Sequence, residues 1–255
     1  MLKFLTKAII FLGVVVGAIT FVYLYDLYQE IKDDIDSVVN YNPKQSTQFF
    51  FIFCKMLANT FKDENREYVN YDDIPARVIE GLVAIEDTQF FEHFGVNPDA
   101  ISRAVIKNIQ SGGYSEGAST LTKQLIKVLL LSREKKIIRK VKEALLAIRL
   151  ETVLTKEEIL ERYLNHVYFG HGYYGVKTAA KGYFKKNLYE LTLKEIAILV
   201  GLPRAPSFYD PTKNLQVSLA RANQVITRMH TLGWINNEQF EESINETPNI
   251  YNQTL

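Results

Sequence analysis

The sequence predicts a mainly α-helical body standing behind one membrane-spanning helix. Three observations predict it: an apolar run near the N-terminus, a succession of helix-capping signals from Pro75 onward, and only two short runs that read as strands. With 255 residues, 47% hydrophobic and 23% charged, the chain can bury a sizeable core and is neither disordered nor collagen-like. The single cysteine, Cys54, excludes an intrachain disulfide and a multi-cysteine metal site. A net charge of +1 argues against nucleic acid as a partner and leaves anion binding to a local basic cluster.

In chain order, Lys3 and Lys7 precede Ala8 to Tyr25, an apolar stretch of eighteen residues. At about 1.5 Å rise per residue it covers about 27 Å, enough to span a bilayer. Asp26, Glu30, Asp33, Asp34 and Asp36 follow it, so the positive-inside bias places the N-terminus in the cytoplasm and the body outside. The run is longer than a signal peptide's apolar core and lacks a small-x-small cleavage site at its far end. Residues 27 to 47 are polar and acidic with Pro43, a short helical or extended spacer. Phe49 to Phe53 and Glu67 to Val69 suggest a small two-stranded element, the first of them equally an apolar patch. Beyond them Pro75 suits a first helical position and Asn97-Pro98 an N-cap with proline behind it. Thr155 with Glu158, Thr192 with Glu195 and Asn236 with Gln239 have capping-box spacing. Ser111-Gly112-Gly113 ends one helix, and Gly201 with Pro203 ends another. The domain reading is a cytoplasmic tip and anchor at 1–26, a stalk with β-like segment at 27–64, a catalytic domain at 65–230 and a C-terminal helical extension at 231–255.

Four clusters can carry chemistry. Glu86-Asp87 closes an apolar helix bearing Val78, Ile79, Leu82 and Val83, and Phe90, Phe91 and His93 follow. A hydrophobic wall raises a carboxyl pKa by desolvation and fits Glu86 for general acid or base work; the plain alternative is a solvated helix end with a packed histidine. Glu116 to Lys127 is a glycine-containing loop running into a helix that opens with Ser119, Thr120 and Thr122, suited to a phosphate or pyrophosphate, or simply an N-cap. Arg133 to Glu143 holds six basic residues in eleven, with Arg139 and Lys140 spaced to reach Glu143 from the same helix face. Its plain reading is a solvated helix with an intrahelical ion pair. In Ile159 to Gly170 and Gly175 to Phe184 the apolar residues recur at helical spacing, with Tyr163 and Asn165 as structural hydrogen bonders.

Taken in order, these clusters resemble the peptidoglycan glycosyltransferases of family 51, found alone in monofunctional transglycosylases and at the front of class A penicillin-binding proteins. The likeness covers about residues 65 to 230 and rests on Glu86-Asp87, Phe90, His93 and Gly95, on Gly117 to Gln124, on Arg139-Lys140 and Glu143, on the two later segments, and on Leu202-Pro203-Arg204-Ala205-Pro206. It implies a lysozyme-like helical lobe with a smaller lobe that touches the membrane, and polymerisation of lipid II by inverting transfer with loss of undecaprenyl pyrophosphate. It implies Glu86 as general base and Glu143 as the second catalytic carboxylate. Asp87, His93, Ser119, Thr120, Lys123, Gln124, Lys127, Lys135, Arg139 and Lys140 fall on the substrate side. No cofactor is obligatory, and a divalent ion, Mg or Mn, belongs on the substrate's pyrophosphate; no carboxylate cluster specifies a protein-held metal. The implied partners are lipid II, the growing glycan strand, membrane lipid and a cell-wall synthesis complex, with the body outside the cytoplasmic membrane.

Two positions depart from the family pattern: Lys123 replaces the first of two glutamines, and Lys185 stands where glycine is usual. Among rivals, a lytic hydrolase has no use for a pyrophosphate site, and a non-catalytic envelope scaffold has no use for Glu86 and Glu143. The matches Ser132 to Lys135 and Ser243 to Asn245 to transpeptidase motifs are accidental, being out of order and without a complete third motif.

Overall fold

The computed structural model describes residues 2–39, 47–50, 56–60, 65–113, 117–130 and 136–251. Helix α1 (Leu2–Val39) contains the stretch Ile9–Gln29, of mean hydropathy 2.1, which by length and composition can cross a membrane. The expected spacer is not a separate element at its start: α1 runs on to Val39 and packs against α5 (Lys136–Leu150). Val38 joins the main core, and Arg162 Nη1 donates to the Val38 carbonyl at 3.0 Å. That guanidinium satisfies one of the carbonyls a helix end leaves open, so the helix closes on the body itself. Pro43 lies outside the described residues.

Strands β1 (Thr47–Phe50) and β2 (Met56–Thr60) form an antiparallel pair with Thr47 opposite Thr60. Phe51 to Phe53 lie outside the described residues, and Glu67 to Val69 is not the partner strand. Its backbone is claimed by side chains instead. Val69 N–H donates to Asn165 Oδ1 at 2.9 Å, Asn165 Nδ2 donates to the Val69 carbonyl at 2.7 Å, and Glu67 N–H donates to Thr178 Oγ1 at 2.8 Å. The edge formed by Glu67 and Val69 is thus taken by side chains where a strand would offer it to a ladder. The two-residue β3 (Asn65–Arg66) pairs in parallel with β4 (Tyr173–Tyr174).

The rest of the described chain is helical. At its centre lies α8 (Leu193–Gly201), buried from Lys194 to Gly201, which packs against α2 (Ala76–Glu86), α7 (Val176–Phe184) and α9 (Leu215–Thr231). A helix buried all round belongs in the middle of a core. Gly81 of α2 lets the two helices close: a Cβ there would lie 3.3 Å from Val200 Cγ2. A second group brings α4 (Leu121–Leu129) against α5 and α6 (Lys156–His166). The three capping boxes at Thr155, Thr192 and Asn236 are formed, and Asn97 caps α3 (Pro98–Gln110) through Oδ1 and Ala100 N–H. Pro75 is the cap of α2, one residue before the first helical position. Lys185 closes α7 at φ 54°, a left-handed conformation that glycine adopts without strain. The last helix, α10 (Asn237–Asn245), is fastened to α8 and α9 by the buried Lys194, whose Nζ donates to Asn223 Oδ1 at 2.6 Å and to the Ile244 carbonyl at 3.0 Å.

Candidate active site

The end of α2 delivers Glu86 and Asp87 to opposite tasks. Glu86 keeps 11% of its side chain exposed; its Oε2 accepts from Gln124 Nε2 at 3.0 Å and its Oε1 from Arg221 Nη2 at 3.1 Å. Burial raises the Glu86 pKa above the usual carboxylate range, opposed by the Gln124 hydrogen bond and then by the charges of Arg221 and Arg204. One hydrogen bond on each oxygen leaves each a further lone pair for a substrate hydroxyl. Tyr163 fixes the glutamine, donating its hydroxyl to Gln124 Oε1 at 3.0 Å. Desolvation, reinforced by the charge of Glu86, raises the Tyr163 pKa well above its ordinary value, so it remains a neutral donor.

Asp87 and His93, expected on the substrate side, are engaged within the fold. His93 Nε2 lies 3.1 and 3.0 Å from the two Asp87 oxygens, and Asp87 Oδ2 also accepts from Leu121 N–H at 3.0 Å. The N-terminus of α4, read from sequence as a phosphate cradle, therefore already holds an anion, and that anion is Asp87. Thr120 is likewise occupied: its hydroxyl donates to the Gly95 carbonyl at 2.6 Å and accepts from Lys123 N–H at 3.3 Å. Gly95, at φ 76°, has to be glycine, because a Cβ would stand 2.4 Å from the Ala147 carbonyl oxygen of α5. Thus Asp87, His93, Gly95 and Thr120 set where α4 begins, and Ser119, half-buried, precedes the cap.

From that fixed start α4 presents Gln124 to Glu86 and packs against α5, the helix that carries Glu143. Gln124 meets Glu86, while Lys123, 8% exposed, lies where the charges of Lys140 and Glu143 act on it. Glu143 keeps 5% of its side chain exposed, with Arg139 Nε at 3.3 Å from Oε1 and Lys140 Nζ at 3.3 Å from Oε2. Neither contact has hydrogen-bond geometry, so the buried carboxylate is held by charge alone. Lys127 is exposed one turn beyond Lys123, and Lys135 lies outside the described residues. Among the described residues no three His, Cys, Asp or Glu side chains converge as metal ligands would.

Arg221 is the partner of Glu86 that the sequence reading passed over. It lies on the buried face of α9 with Ser218, Ala222, Val225, Ile226 and Met229, and an arginine in register with an apolar stripe signals a buried cation with a carboxylate partner. Its guanidinium also reaches Gln224 Oε1 at 3.2 Å and stands 5.7 Å from the Tyr209 ring centroid. Because Arg221 favours the ionised form of Glu86, Arg221→Met raises the Glu86 pKa further. The acid limb of the pH–rate profile then moves to higher pH, with the full loss, on the order of tenfold, reached only below the parent's own midpoint. An unmoved acid limb would show that Arg221 does not tune this carboxylate.

A partly desolvated carboxylate fixed by an amide and a guanidinium, with a second buried carboxylate beside cations on α5, is an arrangement suited to acid–base chemistry on an anionic substrate. A model of the transglycosylase family matches residues 54–230, and the chain belongs to that family. It is 41% identical over 237 residues to penicillin-binding protein 1A of Aquifex aeolicus, covering 92% of this chain and 32% of the relative. It is 39% identical over 229 residues to penicillin-binding protein 1A of Escherichia coli, covering 89% of this chain and 27% of the relative. The crystal structure of penicillin-binding protein 1A from Haemophilus influenzae superposes with a TM-score of 0.50 at 26% identity, over 84% of this chain and 22% of that one. The chain thus spans about a third or less of the length of these relatives.

Proposed function

We propose that this chain is a peptidoglycan glycosyltransferase that polymerises lipid II, with Glu86 as general base. The acceptor's N-acetylglucosamine 4-hydroxyl gives its proton to Glu86 as its oxygen attacks C1 of the donor's N-acetylmuramic acid. The bond from C1 to the pyrophosphate oxygen breaks on the opposite face, the configuration inverts, and undecaprenyl pyrophosphate leaves. A base with a raised pKa is matched to that proton. Arg139 and Lys140 beside Glu143, with Lys127 exposed on the neighbouring α4, stabilise the charge that grows on the leaving group. Asp87, His93 and Thr120 serve by positioning α4. The observation that carries this reading is the juxtaposition at α4, which touches Glu86 through Gln124 and packs against α5, where Glu143 lies buried beside Arg139 and Lys140.

The four-part domain division at 1–26, 27–64, 65–230 and 231–255 belongs to the same reading. So does an anchor in the cytoplasmic membrane with the body on its outer side, which confines enzyme and lipid-linked substrates to one plane. The growing strand and a cell-wall synthesis complex are its macromolecular partners, and a divalent ion, where present, rides on the substrate's pyrophosphate. Labelled lipid II incubated with the chain in detergent is expected to yield long polymer that a muramidase digests to disaccharide units. Unchanged lipid II, or cleavage of preformed glycan by the chain itself, would sink the proposal.

A further inference from the structure

Gly201, the last residue of α8, has φ −79° and ψ −22°, a right-handed conformation open to any residue, so the backbone does not require glycine there. A neighbouring side chain does. A Cβ at 201 would stand 2.9 Å from Arg221 Cγ and 3.9 Å from Arg221 Cβ and Cδ, and these are the three nearest atoms. Helices α8 and α9 pack against each other, and the missing side chain leaves the stem of Arg221 its room between them. Because Cγ lies near the root of that stem, a methyl group at 201 would re-aim the whole side chain and not its tip alone. At the other end of Arg221 the Tyr209 ring centroid is 5.7 Å from the guanidinium carbon, within reach of cation–π attraction, which strengthens when the cation is desolvated; the Arg221 side chain is 6% exposed. The segment carrying Tyr209 is itself fixed. Tyr209 N–H donates to the Ala205 carbonyl at 2.9 Å, and the buried Asp210 accepts from the Thr212 N–H at 2.9 Å and from its hydroxyl at 2.6 Å.

Building on the proposed function, in which Glu86 is the base, we propose that Gly201 and Tyr209 are positioning residues of the reaction: the glycine gives the Arg221 stem its path and the ring holds the guanidinium, so that Nη2 stays on Glu86 Oε1. Two of the three guanidinium nitrogens are anchored, Nη2 on Glu86 at 3.1 Å and Nη1 on Gln224 Oε1 at 3.2 Å. Nε has no hydrogen-bond partner among the described residues, so the set of the fork depends on what bounds it at stem and head. The charge of Arg221 opposes the burial that raises the Glu86 pKa, and any withdrawal of the guanidinium therefore leaves that carboxyl harder to ionise. Arg204 and Tyr163 also bear on Glu86. Arg204 lies three residues past Gly201 and could move with it, but the Tyr209 substitutions leave both in place, so agreement between the two sets of variants assigns the effect to Arg221.

The test uses the full chain in detergent, with glutamate side-chain carboxyls labelled with carbon-13 and titrated by NMR; the Glu86 resonance is the one that Glu86→Gln removes. Lipid II polymerisation is followed against pH on the same proteins, and thermal unfolding shows that each variant is folded. Gly201→Ala and Tyr209→Leu are each expected to raise the Glu86 midpoint by about half a pH unit, read in the acid limb as about threefold less activity below the parent's midpoint. Tyr209→Phe keeps the ring face and is expected to keep the parent's midpoint. Added to Arg221→Met, Gly201→Ala should move the midpoint no further, because no guanidinium is left to displace. Midpoints within about 0.2 pH unit of the parent in both Gly201→Ala and Tyr209→Leu, less than a twofold change in ionisation, overturn the inference. So does a shift from Gly201→Ala that persists beside Arg221→Met, and a phenylalanine at 209 that moves the midpoint as far as leucine removes the ring's part. The titration needs no substrate, so midpoints that move as expected in a chain that makes no polymer would support the positioning of Arg221 and overturn only the function it is proposed to serve.

Discussion

Glu86→Gln will leave a folded protein whose polymerisation of lipid II is at least about 10³-fold slower than the parent's, the scale of a lost general base. The amide nearly reproduces the carboxylate's shape but has no basic lone pair for the acceptor's proton. Two neighbours sharpen the effect. Gln124 Nε2 and Arg221 Nη2 both donate to Glu86, so the glutamine can satisfy one of them with its oxygen and must turn an N–H toward the other. Circular dichroism and thermal unfolding establish that the variant is folded, and the single-turnover rate gives the result. A rate within tenfold of the parent would remove Glu86 from the base role.

The second large effect concerns stability. Asp87→Ala deletes a buried carboxylate that accepts the Leu121 N–H and holds His93, leaving a helix-end donor and an imidazole nitrogen without their partner. Losing a cap costs about 1 kcal/mol and stranding buried polar groups about 1 to 3 kcal/mol more, so the body should lose about 3 kcal/mol in urea unfolding. Because Gln124 and Lys123 ride on the same helix, polymerisation should fall as well, through placement and not through contact with substrate. Asp87→Asn, which keeps an acceptor oxygen for Leu121, should lose about half as much stability. An alanine variant within 0.5 kcal/mol of the parent, where surface substitutions fall, would show that α4 is held by something else.

Local signals carried much of this structure into the sequence. Capping boxes work because the residues that satisfy a helix end lie three apart in the chain, and those at Thr155, Thr192 and Asn236 are all formed. The ion pairs from Arg139 and Lys140 to Glu143 were legible for the same reason, being a helix turn apart. Pairings across the chain were not. The partner of Val69 is Asn165, and that of Glu86 is Arg221, separated from it by 135 positions. No local spacing encodes either. The contacts of Asp87 with His93 and the start of α4 were not legible beyond their proximity in sequence to Glu86, because only tertiary packing brings Leu121 N–H to that carboxylate. The aromatic run at Phe49 paired with a neighbouring segment, while Glu67 to Val69 was captured by side chains that lie far along the chain.

The docking of α1 on α5, with Arg162 closing its end, has a mechanical consequence. A helix of 38 residues is about 57 Å of stiff rod, and its far end bears on the helix that carries Glu143. With the apolar stretch in a bilayer, tilting of the rod to suit a thinner or thicker membrane becomes rotation of the body against that surface, because no slack lies within α1 to absorb it. The attitude of the body at the lipid plane is then tied to the tilt of that rod, as a hand is tied to the forearm behind it.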